Sequence, residues 1–229
     1  MLKNIFCLCG VFLTMSVHAS GNIVFGQSTR LIYHMNESGV GLAVNNHSSR
    51  HYVMHAFMLD KDKQLSEDFV VTPEVRTLKP NEGTILSVKR LGGVYPNDRE
   101  TLLYVVGKFV PNTTDGSSNK KMELAYSFQM KVFLRPDQYR LSDAVEASKD
   151  KVTFEYKDKT LLINNPTPYH LTFYDLKLDG RSVELSEQFK MIAPFKQQAL
   201  TGLKKPKKVS WSLISDTGYE TAYLERTLN

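Results

Sequence analysis

The sequence predicts an all-β protein built from two sandwich domains, and three observations predict it. Short apolar runs recur along the whole chain, separated about every ten residues by clusters of Gly, Pro, Asn and Ser. The aromatic residues are 12 Phe and 11 Tyr against 1 Trp, a mix that favours strands. No segment after the N-terminus carries a sustained 3.6-residue apolar period.

The chain has 229 residues, and the first 19 read as an export signal. Lys3 gives a basic start, Ile5 to Val17 an apolar stretch, and Val17-His18-Ala19 a small-x-small cleavage site. Both cysteines, Cys7 and Cys9, fall in this leader, so the remaining 210 residues are expected to hold together by packing alone. Without Lys3 the chain carries 28 basic and 24 acidic side chains, a net charge of +4. That balance is too weak to argue for nucleic acid without a localised patch.

Expected strands follow in order at 23–33, 41–45, 52–59, 69–78, 84–88, 102–110 and 122–134. Seven strands with turns at this spacing fit an antiparallel, immunoglobulin-like sandwich. A polar stretch at 142–150, with room for one helical turn over 142–147, then separates a second set at 152–156, 160–164, 169–178, 198–203, 209–214 and 221–224. The expected organisation is a signal at 1–19, one domain at 20–140 and another at 141–229, with no internal sequence repeat.

The run at 122–134 is unusually long. Every even position is apolar, from Met122, Leu124, Tyr126 and Phe128 through Met130, Val132 and Leu134, while Glu123, Ser127, Gln129 and Lys131 occupy odd positions. Such a strand either crosses its own core from end to end or outruns its domain and offers apolar side chains to another chain. Other groupings read as ordinary surface. His47, His51 and His55 lack helical surroundings and a nearby acidic partner, and the Lys204–Lys208 run reads as a solvated hairpin tip. No nucleophile elbow, phosphate loop or HExxH motif is present, so neither a catalytic site, a metal nor a cofactor is expected.

Seven stretches, taken in order, resemble the periplasmic pilus (fimbrial) assembly chaperones. They are Thr29–Tyr33, Val71–Pro73, Tyr95–Leu103, Met130–Pro136, Asn165–Tyr169, Ala193–Phe195 and Ser215–Gly218. The resemblance implies two immunoglobulin-like sandwiches set as an L with a cleft between them. It implies a non-enzymatic protein of the periplasm that binds pilus subunits, completes each one with a donated strand and passes it to an outer-membrane usher. By the same resemblance, Arg30 and Lys131 would grip the subunit's C-terminal carboxylate, and Met122, Leu124 and Tyr126 would be the donated side chains. Glu100, Arg135 and Asp216 would form an ionic link between the domains.

No direct membrane anchoring and no nucleic acid enter this reading. A self-capping homodimer is the expected way to shield an idle donor strand. The loop at 112–121 lacks the cysteine pair of the long-loop branch, which points to the short-loop branch and rod-like pili. The chain departs from the family at Ala56-Phe57-Met58, where Trp is common, and at Ser87, where Arg is. Lys131 is odd-numbered and the donated residues even, so a bulge or a strand crossing the domain edge is expected between them. The competing class is an exported β-sandwich adhesin or sugar-binding module.

Overall fold

The computed structural model describes residues 23–112 and 124–228. The expected leader over 1–19, most of the 112–121 loop and Met122 lie outside the described residues. Nine strands make the first domain: β1 (Ile23–Phe25), β2 (Arg30–His34), β3 (Val40–Asn46), β4 (Tyr52–Leu59), β5 (Phe69–Thr72), β6 (Val75–Leu78), β7 (Gly83–Arg90), β8 (Thr101–Pro111) and β9 (Tyr126–Arg135). They form one sheet in the order β1-β3-β7-β5 and a second in the order β2-β9-β8-β4-β6.

Two expected strands are in fact split, and each half joins a different sheet. The run at 23–33 breaks at Gly26, which adopts φ 80° and donates its N–H to the Ala43 carbonyl at 2.7 Å. A Cβ there would lie 2.3 Å from the Met130 methyl, so the chain crosses between sheets where only glycine fits. The run at 69–78 breaks at Pro73, which has no N–H to give a ladder, and β5 pairs with β7 while β6 pairs with β4. These crossings link the two sheets covalently at both edges of the sandwich. The core between the sheets holds Tyr33, Met54, Leu86, Val105, Phe109 and Val132, all essentially inaccessible.

The second domain contains β10 (Thr153–Lys157), β11 (Thr160–Asn164), β12 (Leu171–Leu178), β13 (Arg181–Ser182), a short helix α1 (Glu187–Lys190), β14 (Met191–Ile192), β15 (Gln197–Thr201), β16 (Lys208–Leu213) and β17 (Leu224–Thr227). A sheet β10-β11-β15 packs over the sheet β13-β12-β16-β17, with Trp211 buried between them. The last strand lies at 224–227, not 221–224, because Thr221 is used to close a turn onto Leu213. The expected helical turn at 142–147 is not formed there; a 3-10 helix runs instead over Glu146–Lys151, and another lies earlier at Asp137–Tyr139.

A structural repeat hides under the absence of a sequence repeat. Asn46 is fully buried and donates its side-chain amide to the Arg50 and Lys79 carbonyls at 2.7 and 2.8 Å. Its own oxygen accepts from the Ser48 N–H and hydroxyl at 3.0 and 2.7 Å. In the second domain Asn165 donates to the Tyr169 and Ala193 carbonyls at 2.7 and 3.1 Å and accepts from the Thr167 N–H and hydroxyl at 3.0 and 2.7 Å. Each asparagine therefore satisfies backbone groups that the sandwich removes from water. Asn165→Ala or Asn46→Ala should lower unfolding stability by about 2–4 kcal/mol, because several buried polar groups lose partners at once. Urea denaturation checks this, and a loss under about 1 kcal/mol would contradict the role.

Candidate functional site

Strand β9 carries the site because its two faces look in different directions. Its pairing with β8 runs unbroken from Phe109↔Tyr126 to Thr101↔Leu134, so of the two expected devices, a bulge or a strand crossing the domain edge, no bulge occurs over 126–134. Strict alternation holds throughout: Met130, Val132 and Leu134 enter the first core, while Lys131, Phe133 and Arg135 face the domain junction. Strand β2 runs parallel to β9, with Arg30 opposite Lys131 and His34 opposite Arg135. Residues in register on adjacent strands share a face, at a strand spacing of about 4.8 Å. The parity of Lys131 and the even residues thus reflects two working faces of one strand.

At the far end of this face, Arg135 is 1% exposed and fully partnered. Its Nε donates to Glu100 Oε1 at 2.8 Å, and its two terminal nitrogens donate to the two Asp216 oxygens, each at 2.8 Å. Glu100 Oε2 accepts from the His170 N–H at 2.7 Å, and Asp216 Oδ2 accepts from the Ala144 N–H at 2.8 Å. The guanidinium also lies 5.0 Å from the Tyr169 ring centroid. Burial works against the charge, but the hydrogen bonds and charges of Asp216 and Glu100 outweigh it and hold Arg135 above its ordinary pKa. The structure therefore brings Glu100, Arg135 and Asp216 together, with one partner from each domain around the arginine.

Four residues back on β2, Arg30 is nearly as deeply buried, at 4% exposure, yet its Nε and Nη1 have no hydrogen-bond partner. Its guanidinium lies 5.4 Å from the Phe133 ring centroid, and the other side of that junction holds the His170 ring at 5.2 Å from Phe133. Lys131 is half-buried beside it. Neither cation forms an ion pair among the described residues. Burial pushes the Arg30 pKa down, against the pull of Asp216, Glu100 and Asp143. Burial and the adjacent Arg30 push Lys131 down as well. Two partly desolvated cations with spare donors have the chemistry to take up an anion, since a carboxylate can accept from both.

The open part of β9 leads to this pair. Strand β2 covers only Lys131–Arg135, so among the described residues no strand pairs with the second edge of β9 at 127–130. On the even face, Leu124 is 55% exposed and precedes the strand. Tyr126 is half-buried, with its ring 6.0 Å from Tyr52 and 6.2 Å from Phe128, at the end of an aromatic cluster that includes Phe25 and Phe109. His55 approaches Glu74 at 3.4 Å on the surface, and among the described residues no three His, Cys, Asp or Glu side chains could hold a metal.

Two β-sandwiches are thus joined by a buried ionic cluster, and an open strand edge runs to two cations that form no ion pair among the described residues. Comparison with known families places this arrangement. Residues 24–140 match the model described as pili and flagellar-assembly chaperone, PapD N-terminal domain, and residues 147–224 match the pili assembly chaperone PapD C-terminal domain. The chain belongs to the pilus assembly chaperone family. It is 32% identical over 207 residues to the Escherichia coli (strain K12) protein ElfD, covering 86% of this chain and 83% of that one. A structure of Salmonella enterica SafA pilin in complex with the SafB chaperone matches with a TM-score of 0.79 at 26% identity, over 90% of this chain and 96% of the other. The Escherichia coli chaperone DraB matches with a TM-score of 0.77 at 27% identity, over 90% and 96%.

The electrostatics of the empty site give a measurable consequence. A lysine whose pKa is lower in the folded than in the unfolded state destabilises the fold while it is protonated, and this burden disappears as pH rises through the folded pKa toward 10.5. Lys131→Met should therefore stabilise the free protein at neutral pH, by about 1 kcal/mol, and the advantage should shrink toward alkaline pH. Thermal melts at several pH values check this; a destabilised variant would contradict it.

Proposed function

We propose that this protein is a periplasmic, non-enzymatic chaperone that captures pilus subunits by their C-terminal strand and delivers them to an outer-membrane usher. The observation that carries the reading is Arg30: a buried guanidinium with two unpartnered nitrogens, next to Lys131, at the end of an open strand edge. A subunit's terminal carboxylate is the ligand chemistry that fits two cations at the end of a strand slot. The direction of the bound strand follows from register. The edge of β9 at 127–130 that no described strand covers ends at Lys131, where β2 begins. A strand that fills this slot and ends on the cations must run parallel to β9.

Donor-strand complementation then uses the other face. Met122, Leu124 and Tyr126 would enter the subunit's groove while main-chain pairing along β9 supplies affinity. The exposure of Leu124 supports this, and Tyr126 would exchange its half-buried contacts with Tyr52 and Phe128 for the subunit. The ionic link at Arg135 would fix the angle at which both domains meet the subunit. The relatives named as fimbrial chaperones, and the SafA–SafB complex, support a pilus subunit as the partner.

Arg30→Ala should abolish recovery of subunits with the protein from periplasm while the chain still folds, since losing one partner of a desolvated ionic contact removes about 2–5 kcal/mol of binding. Leu124→Glu should melt like wild type and lose subunits too, because an exposed side chain contributes to binding and not to the fold; full burial in a groove would contribute about 1.5–3 kcal/mol. Undiminished subunit recovery with Arg30→Ala would refute the anchor, and a collapsed melt for Leu124→Glu would return that residue to the chaperone's own core.

A further inference from the structure

The second domain has two poles, and register fixes what each carries. The pole at the junction presents His170, Asp216 and the ends of β11, β12 and β16 that lead to them. At the opposite pole, Lys157↔Thr160, Thr160↔Thr201 and Leu178↔Val209 align three turns from both sheets. The turns are tied to one another: Leu203 donates its N–H to the Lys159 carbonyl at 3.0 Å, and Asp179 Oδ1 accepts from the N–H groups of Lys207 and Lys208 at 2.9 Å. Asp158 and Lys159 sit at positive φ, 49° and 59°, so the first of these turns is a fixed, tight one.

Six lysines are exposed at this pole: Lys157, Lys159, Lys204, Lys205, Lys207 and Lys208. Arg181 stands beside them on β13. Four acids stand at comparable depth, Asp158, Asp179, Glu155 and Glu225, so the cations exceed the acids by three. Only Lys208 has an acidic partner among the described residues, Glu225 at 2.9 Å. Asp179 is turned inward onto backbone amides and leaves the lysines above it unpaired. The sequence run at 204–208 supplies only half of this patch. The turn at 157–159 supplies the rest, and only the fold brings the two together.

We propose that this pole docks on the anionic headgroups of a phospholipid membrane, with the junction and its two cations held at the opposite end, away from the lipid. Among the described residues none of these lysines lies against an aromatic ring, and the nearby Tyr156 donates its hydroxyl to the Leu203 carbonyl, so the pole shows no stacking platform for a nucleic acid strand. It suits a flat, laterally mobile anionic surface, to which clusters of four to eight basic residues bind electrostatically. The docking is peripheral: no helix among the described residues is long and apolar enough to cross a membrane. Each lysine near such a surface multiplies affinity by roughly five, and added salt screens the attraction.

The test is co-sedimentation of the mature chain with vesicles of phosphatidylcholine containing roughly one-third phosphatidylglycerol, against pure phosphatidylcholine vesicles. Wild type should bind the anionic vesicles only, and binding should fall as salt is raised. The triple variant Lys204→Gln, Lys205→Gln and Lys207→Gln should bind on the order of 100-fold more weakly, with an unchanged melt. The double variant Lys61→Gln and Lys63→Gln, in the other domain, should bind like wild type. The proposal is overturned if anionic vesicles do not bind even at low salt, if neutral vesicles bind equally, or if the triple variant keeps wild-type affinity. Capture by poly-glutamate without capture by vesicles would also overturn it, and would assign the pole to an acidic polypeptide.

Discussion

The buried ionic cluster around Arg135 is the constraint on which the rest of the junction depends. Burying a guanidinium to 1% exposure costs least when its donors and the oxygens it meets are all engaged, and Glu100, Asp216, His170 and Ala144 meet that condition. Because Arg135 ends β9, its partners fix the second domain against the strand that carries Lys131. These hydrogen bonds tie the second domain to the strand that carries Lys131, beside further contacts across the junction from the Glu100 N–H to the Pro168 carbonyl and from the Ser28 hydroxyl to the Thr217 carbonyl. Losing Asp216 or Glu100 would leave a buried charge short of partners and loosen that tie.

Arg30 makes the opposite use of the same residue type. It lies on the same face of the same sheet, at similar burial, but its donors are left open. The contrast separates a fully partnered arginine from one with open donors. Open donors on a buried cation lower the stability of the empty protein. Two closed cores and two buried asparagine clamps supply the stability that an unsatisfied cation pair removes.

Much of this was legible in the sequence. The even-numbered apolar run at 122–134 marked β9, and turn clusters placed most strands within a few residues. Local pattern missed the sheet crossings at Gly26 and Pro73, since pairing partners lie far along the chain. It also missed the clamps at Asn46 and Asn165, because an Asn two residues before Ser or Thr is too common a spacing to stand out. Arg30 and Lys131 are 101 residues apart, and only the parallel pairing of β2 with β9 makes them neighbours. Family resemblance singled them out; the residues alone read as outward-facing charges on half-buried strands. The odd-even conflict at Lys131 needed no bulge, because the two faces of β9 serve different ends.

The central claim is that the two open cations recognise a chain terminus and not merely an apolar strand. The most direct measurement compares a synthetic peptide reproducing the C-terminal strand of a co-purified subunit, made once with a free carboxylate and once as the carboxamide, for binding to the wild-type chain. The account predicts that the free acid binds more tightly by about 2–5 kcal/mol, and that the difference vanishes in Arg30→Met. Equal affinity of acid and amide for the wild-type protein would contradict it.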